Sequence, residues 1–262
     1  METNNDIITS LQNQRVKHVM ALQQKSSLRK DEHSFVVEGQ RELEHCLEMG
    51  YHVDSIFVCK EYAGRFNLPQ ATVYEVTPQV YERMAYRGGT EGVMAVVKAV
   101  DHRLDQLILP DNPLLIILER VEKPGNLGAV LRSADAAKAD AVIICDPLTD
   151  LYNPNLIRAS IGAVFTVPTA VCSSEECIQF LKAHNVRILT AQLQDSRLYY
   201  DTPMTGPTAI VMGTESVGLS PLWREAADAH IRIPMMGRLD SLNVSVSAAI
   251  LLFEAVRQRT IL

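Results

Sequence analysis

Hydrophobic and polar positions form short blocks in the first part of this 262-residue chain. Residues 9–24 place apolar side chains at helical spacing, which predicts an amphipathic helix. Helices are also predicted from Gly39 to Met49 and from Thr77-Pro78 onward, with Thr77 as cap and Pro78 at the first position. Short apolar runs predict strands at 35–37, 55–58, 72–76 and 92–97.

The pattern changes after a polar stretch at 98–112, which we interpret as a linker between two domains, 1–105 and 106–262. Beyond it the apolar runs are typical of parallel strands that are buried on both faces. Helical patterns separate these runs, and one begins at the capping sequence Ser173-Ser174-Glu175-Glu176. The alternation predicts an α/β domain with a mostly parallel sheet flanked by helices. The predicted strands are 114–118, 141–145, 187–191 and 208–212.

The last predicted helix has no charged residue between Ser241 and Phe253. A helix that is apolar or small nearly all round is buried on more than one side. In a chain of this size, that pattern favours a helix pressed between its own sheet and a second subunit. The sequence therefore predicts a homodimer.

Composition and charge set limits on the partners. Hydrophobic residues make up 47% and charged residues 21%, which is ordinary for a globular protein. The formal net charge of −6 does not indicate nucleic-acid binding, but a local basic patch is enough to contact phosphates. Such a patch is predicted between Ile7 and Lys30, a stretch without acidic residues, although a solvated helix face would give the same pattern. The candidate RNA-binding residues are Arg15, Lys17, Lys25, Arg29 and Lys30.

Targeting and cysteine patterns predict a cytoplasmic protein. The N-terminal residues lack a basic region followed by an apolar run, and no apolar stretch approaches the ~20 residues of a membrane span. The cysteines are scattered and odd in number, so we expect reduced thiols with neither a metal site nor disulfides. They are Cys46, Cys59, Cys145, Cys172 and Cys177.

Three segments, 119–144, 210–220 and 231–259, place glycines and isolated polar residues at predicted strand ends, where α/β sheets bind ligands. In the first, Arg132 lies among apolar positions, so it should be paired or directed at a ligand. In the second, glycines permit close backbone approach, and no dinucleotide or nucleoside-triphosphate motif is present. In the third, Ser241 is a candidate N-cap, whereas Asn243 on an apolar helix must find polar partners.

Together the three segments resemble the signature motifs of the SpoU-type (TrmH-like) 2′-O-ribose RNA methyltransferases of the SPOUT superfamily. The resemblance covers 114–259, and residues 1–97 resemble the small ribosomal-protein-like α/β domain that often precedes this catalytic domain. Two departures are Glu122-Lys123, where an acidic residue is common, and Lys138, where many members have glycine. The first motif carries Asn126, Gly128 and Arg132; the second Met212-Gly213-Thr214-Glu215 with Gly218; the third Ile233-Pro234-Met235 and Ser241-Leu242-Asn243.

The resemblance implies a trefoil-knotted fold that binds S-adenosylmethionine, with the site near the interface of a homodimer. No other cofactor and no metal are implied. The implied catalytic and RNA-contacting residues are Asn126, Arg132, Glu215, Ser241 and Asn243. The implied cofactor-binding residues are Gly213, Gly218, Ile233, Met235 and Leu242.

The implied reaction moves the sulfonium methyl group to a ribose 2′-hydroxyl, in ribosomal RNA rather than transfer RNA because of the N-terminal domain. Positioning supplies much of such catalysis. Arg132 would activate the hydroxyl or, since a guanidinium stays protonated, hold phosphate and stabilise developing negative charge. The alternatives are a transfer-RNA 2′-O-methyltransferase, a non-catalytic RNA- or ribosome-binding protein of the same fold, and a methyltransferase for small molecules.

Overall fold

The computed structural model describes residues 7–63, 71–86, 91–214 and 217–260. They form two compact units. The first extends to Asp101 and also contains Asp150–Thr166, and the second contains His102–Thr149 and the chain from Val167 onward. The chain passes between units inside the predicted linker, at Asp101. Asp150–Thr166 differs from expectation, because the sequence had assigned it to the C-terminal domain.

The helices of the described residues are short, apart from the last one. In chain order they are α1 (Gln14–Gln24), α2 (Ser26–Glu32), α3 (Gln40–Glu48), α4 (Pro78–Met84), α5 (Pro124–Ala136), α6 (Pro154–Ser160), α7 (Ala163–Thr166), α8 (Ser174–Ala183), α9 (Pro221–Ala226) and α10 (Val244–Thr260). Single 3₁₀ turns occupy Leu104–Gln106 and Tyr199–Asp201. No helix among these residues is both long and apolar enough to cross a membrane.

The strands follow the predicted apolar runs closely. They are β1 (Ser34–Glu38), β2 (Val53–Val58), β3 (Thr72–Glu75), β4 (Val93–Lys98), β5 (Leu114–Glu119), β6 (Ala141–Cys145), β7 (Thr169–Cys172), β8 (Arg187–Ala191), β9 (Arg197–Leu198), β10 (Thr208–Met212) and β11 (Ala229–Arg232). The four strands predicted in the C-terminal part are β5, β6, β8 and β10, and they are confirmed.

The first unit is built on a sheet in the order β1-β4-β2-β3. β4 pairs antiparallel with β1 and β2, and β3 adds in parallel to β2. Against one face lies a core that includes Val16 and Leu22 of α1 and Tyr81 of α4, all fully buried. This unit thus has a hydrophobic core of its own.

One helix start in the first unit differs from the prediction, and a second agrees with it but lacks the predicted cap. α1 begins at Gln14 rather than Thr9, because the side chain of Asn13 caps it by accepting a hydrogen bond from the amide of Arg15. α4 begins at Pro78 as predicted, but the side chain of Thr77 makes no capping bond. For α4, the predicted proline at the first position is confirmed, and the predicted capping bond of Thr77 is absent.

The second unit contains a sheet in the order β7-β6-β5-β10-β8-β11-β9, whose recorded strand pairs are all parallel. Every residue of β5, β6 and β10 is buried, as expected for central strands covered on both faces. From β5 the chain first builds outward through β6 and β7, then moves to the opposite side for β8. The predicted α/β sheet is therefore confirmed, and its direction of growth reverses beside β5.

Helix ends around this sheet explain two sequence features. The predicted cap of α8 is confirmed as a capping box, in which Ser173 and Glu176 bond to each other's backbone amides. Lys138, shortly after α5, has a φ of +51°. Glycine adopts this left-handed conformation at least cost, which is a physical reason for the glycine common there in similar proteins.

Candidate active site

A cavity of about 560 Å³ lies at the carboxyl ends of β8, β10 and β11. Its volume is within the roughly 300–1,000 Å³ of typical small-molecule pockets. Met212, Leu219, Ile231 and Leu251 line it, and each is at most 5% exposed. The cavity therefore has an apolar floor at the sheet edge where α/β proteins bind ligands.

The cavity is lined by the residues that the family resemblance implies for cofactor binding. All five of them line it: Gly213, Gly218, Ile233, Met235 and Leu242. Ser241 and Asn243 line it as well. Residues from two loops and a helix start, far apart in the sequence, thus meet in one place.

Gly213 follows β10 directly and has no room for a side chain. A Cβ atom added there would lie 2.4 Å from the carbonyl carbon of Gly218 and 2.6 Å from the amide nitrogen of Leu219. Reciprocal backbone hydrogen bonds of 3.3 and 3.1 Å between Thr214 and Gly218 close the loop. Gly218 has a φ of +71°, which favours glycine. Both glycines are therefore required by the loop itself, before any ligand is considered.

A buried carboxylate ties this loop to the middle of the sheet. Glu119 is the last residue of β5 and is 3% exposed. Its Oε2 accepts a hydrogen bond of 2.8 Å from the amide of Ser220, the N-cap of α9. The bond fixes the end of the loop that begins at Gly213. The sequence analysis did not select Glu119, although an acid ending a fully apolar strand was a usable signal.

The loop between β11 and α10 forms another wall of the cavity. Ile233 and Met235 are half-buried, and Leu242 is 38% exposed. In the same loop Met236 and Leu239 are 94% and 75% exposed. This wall is therefore built of apolar side chains that the described chain covers only in part.

The start of α10 is arranged by Asn243. Its Oδ1 accepts hydrogen bonds from the amide of Ser245 at 3.0 Å and from the hydroxyl of Ser245 at 2.6 Å. Its Nδ2 donates at 3.1 Å to Oδ1 of Asn126, in the first turn of α5. The helix begins at Val244, so Ser241 does not cap it, contrary to one expectation. The hydroxyl of Ser241 donates instead to Asp240 at 3.1 Å. The polar partners required by Asn243 are thus found inside the site.

A smaller cavity of about 140 Å³ adjoins the first, since Gly213, Thr214 and Val244 line both. Its remaining walls come from 121–123 and Asn126, at the start of α5. The pair of Asn126 and Asn243 therefore lies where the two cavities meet.

Arg132 is exposed on α5 and lines neither cavity. No hydrogen bond or ion pair joins it to another described residue. Of the two expectations for Arg132, pairing is therefore not found among these residues, and contact with a ligand stays a prediction. Its apolar neighbours in sequence lie on the opposite, packed side of the helix. Glu215, another predicted catalytic residue, lies outside the described residues.

The predicted basic patch of the first unit must be reduced by one residue. Arg29 is 5% exposed, and its guanidinium pairs with the carboxylate of Asp150 at 2.6 Å. It also donates to the backbone carbonyls of Leu22 and Gln23. Arg29 is a structural residue and is unable to reach a phosphate. The other four residues of the patch, Arg15, Lys17, Lys25 and Lys30, are exposed.

The loop after β8 supplies cavity residues that the sequence analysis missed. Gln192 and Gln194 line the cavity, with Arg224 and Arg232 from α9 and β11. Gln192 donates its amide to the carbonyl of Gln194 at 2.9 Å, while its Oε1 is buried without a hydrogen-bond partner among the described residues. The carboxyl end of the buried run 187–191 was the available signal. A buried, unused acceptor in a cavity wall is a suitable partner for a ligand amine.

Two family models match separate parts of the chain. The family model described as SpoU rRNA Methylase family matches residues 113–253. A model described as MRM3-like substrate binding domain matches residues 13–95.

Relatives with assigned activities match over large parts of the chain. The 23S rRNA (guanosine(2553)-2′-O)-methyltransferase RlmP of Bacillus subtilis is 30% identical over 247 residues, covering 94% of this chain and 97% of the relative. The 23S rRNA (guanosine-2′-O-)-methyltransferase RlmB of Photobacterium profundum is 41% identical over 177 residues, covering 65% of this chain and 72% of the relative.

A solved structure extends the likeness to the fold. The AdoMet-bound rRNA methyltransferase from Sinorhizobium meliloti superposes with a TM-score of 0.87 at 30% identity, covering 96% of this chain and 97% of that one. The similarity therefore extends across nearly the whole sequence.

Proposed function

Because this chain belongs to the SpoU rRNA methylase family, we propose that it transfers a methyl group from S-adenosylmethionine to a ribose 2′-hydroxyl of a guanosine in large-subunit ribosomal RNA. The observation that carries the proposal is the cavity in which the five cofactor residues meet beside the pair of Asn126 and Asn243. Both named relatives act on guanosines of 23S rRNA, which favours ribosomal over transfer RNA.

The cavity suits S-adenosylmethionine in size and in chemistry. Its apolar floor would accept an adenine ring, and Gly213 and Gly218 line it without side chains that would keep a ligand from the backbone. The unused acceptor of Gln192 is available to an amine of the ligand. Gly213, Gly218, Ile233, Met235 and Leu242 would hold the cofactor. When bound, the cofactor supplies a methyl group already activated by its positive sulfur.

The smaller cavity gives the ribose a place beside the methyl donor. We assign Asn126 and Asn243, together with Ser241, to positioning the acceptor nucleotide. In the transfer the carbon–sulfur bond breaks, a carbon–oxygen bond forms, and the hydroxyl proton leaves to solvent or to a neighbouring base. Glu215, by its place in the second motif, is proposed as a further contact of this step. Fixed geometry is the main contribution, because the methyl group is already reactive.

A homodimer would bring Arg132 to a site. Within one chain Arg132 is exposed and lines neither cavity. On α10, Val246 and Phe253 are 47% and 48% exposed, and Ala249 and Ile250 between them are half-buried. This apolar stripe and the exposed wall of the cavity favour a second copy of the chain as cover. We propose that Arg132 of each chain serves the site of the other, where it binds phosphate and stabilises developing negative charge on the ribose oxygen.

Two finer assignments follow from family membership. We propose that the C-terminal unit contains the trefoil knot of the family. We also propose that the protein acts in the cytoplasm, where ribosomal RNA is available and thiols stay reduced.

The test is methyl transfer from labelled S-adenosylmethionine to ribosomal RNA, with Arg132→Ala as the decisive variant. Loss of one preorganised charge-stabilising group should reduce turnover by about 10²–10³. Cofactor affinity, measured by calorimetry, should stay near that of the wild type. Arg132→Lys should fail as well, because an ammonium lacks the planar fork of donors. Full activity in Arg132→Ala would refute this role, and absence of transfer by the wild type would favour a non-catalytic RNA-binding protein.

The same preparations test assembly. Light scattering should report a dimer at micromolar concentration, and Phe253→Glu should shift it towards a monomer with less transfer activity. A monomeric wild type that is fully active would exclude the shared site.

The exposed basic residues of the first unit provide the RNA-binding surface of the proposal. Neutralising Arg15, Lys17, Lys25 and Lys30 should lower the slope of log affinity against log salt by about 0.7–0.9 for each lost phosphate contact. Arg29 is left intact in this variant because it belongs to the fold. An unchanged slope would show that these residues form a solvated surface and do not contact RNA phosphates.

A further inference from the structure

Three cysteines that are scattered in the sequence meet at the carboxyl ends of β6 and β7, on the side of β5 opposite to the cavity strands. Their Sγ atoms all lie within 4.8 Å of one another. Cys145 is the last residue of β6, Cys172 is the last residue of β7, and Cys177 lies in the first turns of α8. We call these three residues the thiol cluster.

The fold determines this meeting point. Cys145 and Cys172 are direct partners in the parallel pairing of β6 with β7, so their side chains project to the same face of the sheet. The capping box at Ser173 starts α8 immediately after β7, and the helix then lays Cys177 over the two strand ends. The spacing in the sequence could not predict the cluster, because it depends on strand register and on a tight strand-to-helix turn.

The surroundings of the thiol cluster suit a cation. Cys145 and Cys177 are fully buried, while Cys172 is half-buried and gives a route from solvent. The carboxylates of Asp146 and Glu176 add negative potential nearby. A cation would therefore be attracted to a group of soft ligands beside two carboxylates.

We propose that the thiol cluster of Cys145, Cys172 and Cys177 is a structural site for a thiophilic cation, zinc(II) in the first instance. Thiolate sulfur is the ligand that zinc and other soft cations prefer. The bound ion forms three metal–sulfur bonds, and the thiol protons still present are released to water. Water reaching the side of Cys172 completes four-coordination, the number usual for zinc. The ion links the carboxyl ends of β6 and β7 to α8.

A metal accounts for the cluster better than a disulfide does. A disulfide would join two of the three sulfurs and leave the third as a free thiol. Its formation would also need an oxidant. The ion uses all three sulfurs. None of the three cysteines lines the cofactor cavity, so the site supports the fold rather than methyl transfer.

The experiment titrates zinc(II) and cadmium(II) into the full chain after chelator treatment, in the presence of a phosphine reductant. We expect one ion per chain, a sulfur-to-cadmium charge-transfer band in the ultraviolet, and a rise in melting temperature with zinc. Cys172→Ser should weaken the affinity by more than the roughly 10–100-fold that follows loss of an outer-shell partner. Since its side chain is half-buried, this variant should still bind S-adenosylmethionine, which serves as the check on folding.

The matched control is Cys46→Ser, which removes a buried thiol in the first unit. Cys46 is not one of the three residues of the thiol cluster, so its loss should leave metal affinity unchanged. Should Cys172→Ser fail to fold, Cys177→Ser gives the same comparison. Absence of the charge-transfer band in the folded wild type would overturn the proposal. So would a folded Cys172→Ser variant that binds the ion as tightly as the wild type.

Discussion

The two halves of the seven-stranded sheet end very differently. On one side of β5, the strands β10, β8 and β11 end around an open cavity of about 560 Å³. On the other side, β6 and β7 end at the thiol cluster, which is closed over by α8. Both sets of strand ends are carboxyl ends of parallel strands, where ligands can bind.

One difference lies in how the chain leaves β7 and β10. After β7 a single residue, Ser173, separates the strand from α8, so the helix packs at once on the strand ends. After β10 the chain needs eight residues, 213–220, before α9 begins, and it folds back on itself at Gly213. The short connection lets α8 cover the end of β7, whereas the folded loop after β10 forms a wall of the cavity. Changes in the open half should affect ligand binding, and changes in the closed half should affect stability.

The largest effect is expected from Gly213→Val. The added atoms must displace the backbone of Gly218 and Leu219, and such overpacking costs about 1–3 kcal/mol. Because the displaced loop is a wall of the cavity, we expect this cost to appear as roughly 10–100-fold weaker binding of S-adenosylmethionine. Calorimetric titration measures it. Gly206→Ala is the matched control, since a Cβ there meets nothing within 4 Å. Equal cofactor affinity in both variants would show that the loop at Gly213 does not shape the cofactor cavity.

A smaller effect on binding is expected from Glu119→Ala, at the strand between the two halves. The variant leaves the amide of Ser220 without its buried acceptor, which costs about 1–3 kcal/mol, divided between stability and loop position. We expect a lower melting temperature and several-fold weaker cofactor binding. Glu119→Gln keeps an acceptor oxygen and should remain close to the wild type. If both variants bind equally well, the carboxylate does not position the loop.

In the closed half, Ser173→Ala should affect stability alone. It removes the hydroxyl of the capping box of α8, a change that costs about 1 kcal/mol. Chemical denaturation should report this loss, while the affinity for S-adenosylmethionine stays unchanged. A fall in cofactor affinity comparable to that of Gly213→Val would show that the halves are coupled.

The smallest effect is a pH dependence of the same capping box. Hydrogen bonds from the amide and then the hydroxyl of Ser173 lower the pKa of Glu176 below its usual value. A lowered pKa in the folded state stabilises the protein above the unfolded pKa, near 4.3, and this contribution is lost as pH falls through the folded pKa. The melting temperatures of wild type and Glu176→Gln should therefore differ slightly at neutral pH and converge in acid. A difference that persists in acid would assign the effect to shape rather than to charge.

Local patterns were sufficient for much of the fold and for part of the site. Apolar runs located β5, β6, β8 and β10, because fully buried strands need continuous hydrophobic sequence. The capping sequence at Ser173 located α8, since the bonds involved span only three residues. The five residues assigned to the cofactor by the resemblance to the family all line one cavity, and that assignment stays a prediction.

Predictions failed where the outcome depends on a distant partner. Arg29 was assigned to RNA, but its carboxylate partner Asp150 is 121 residues away in sequence. Gln192 was missed because only the fold brings the end of β8 beside the glycine loop.

The sequence by itself determined most of the strands, the capping box of α8 and the glycines of the loop after β10, because each depends on neighbours a few residues apart. Only the tertiary structure decided which charges are buried, where Asn126 meets Asn243, and that Cys145, Cys172 and Cys177 share one point. These outcomes depend on strand order and register, which are set by packing across the whole sheet. Residues far apart in the chain become neighbours only when that packing is complete.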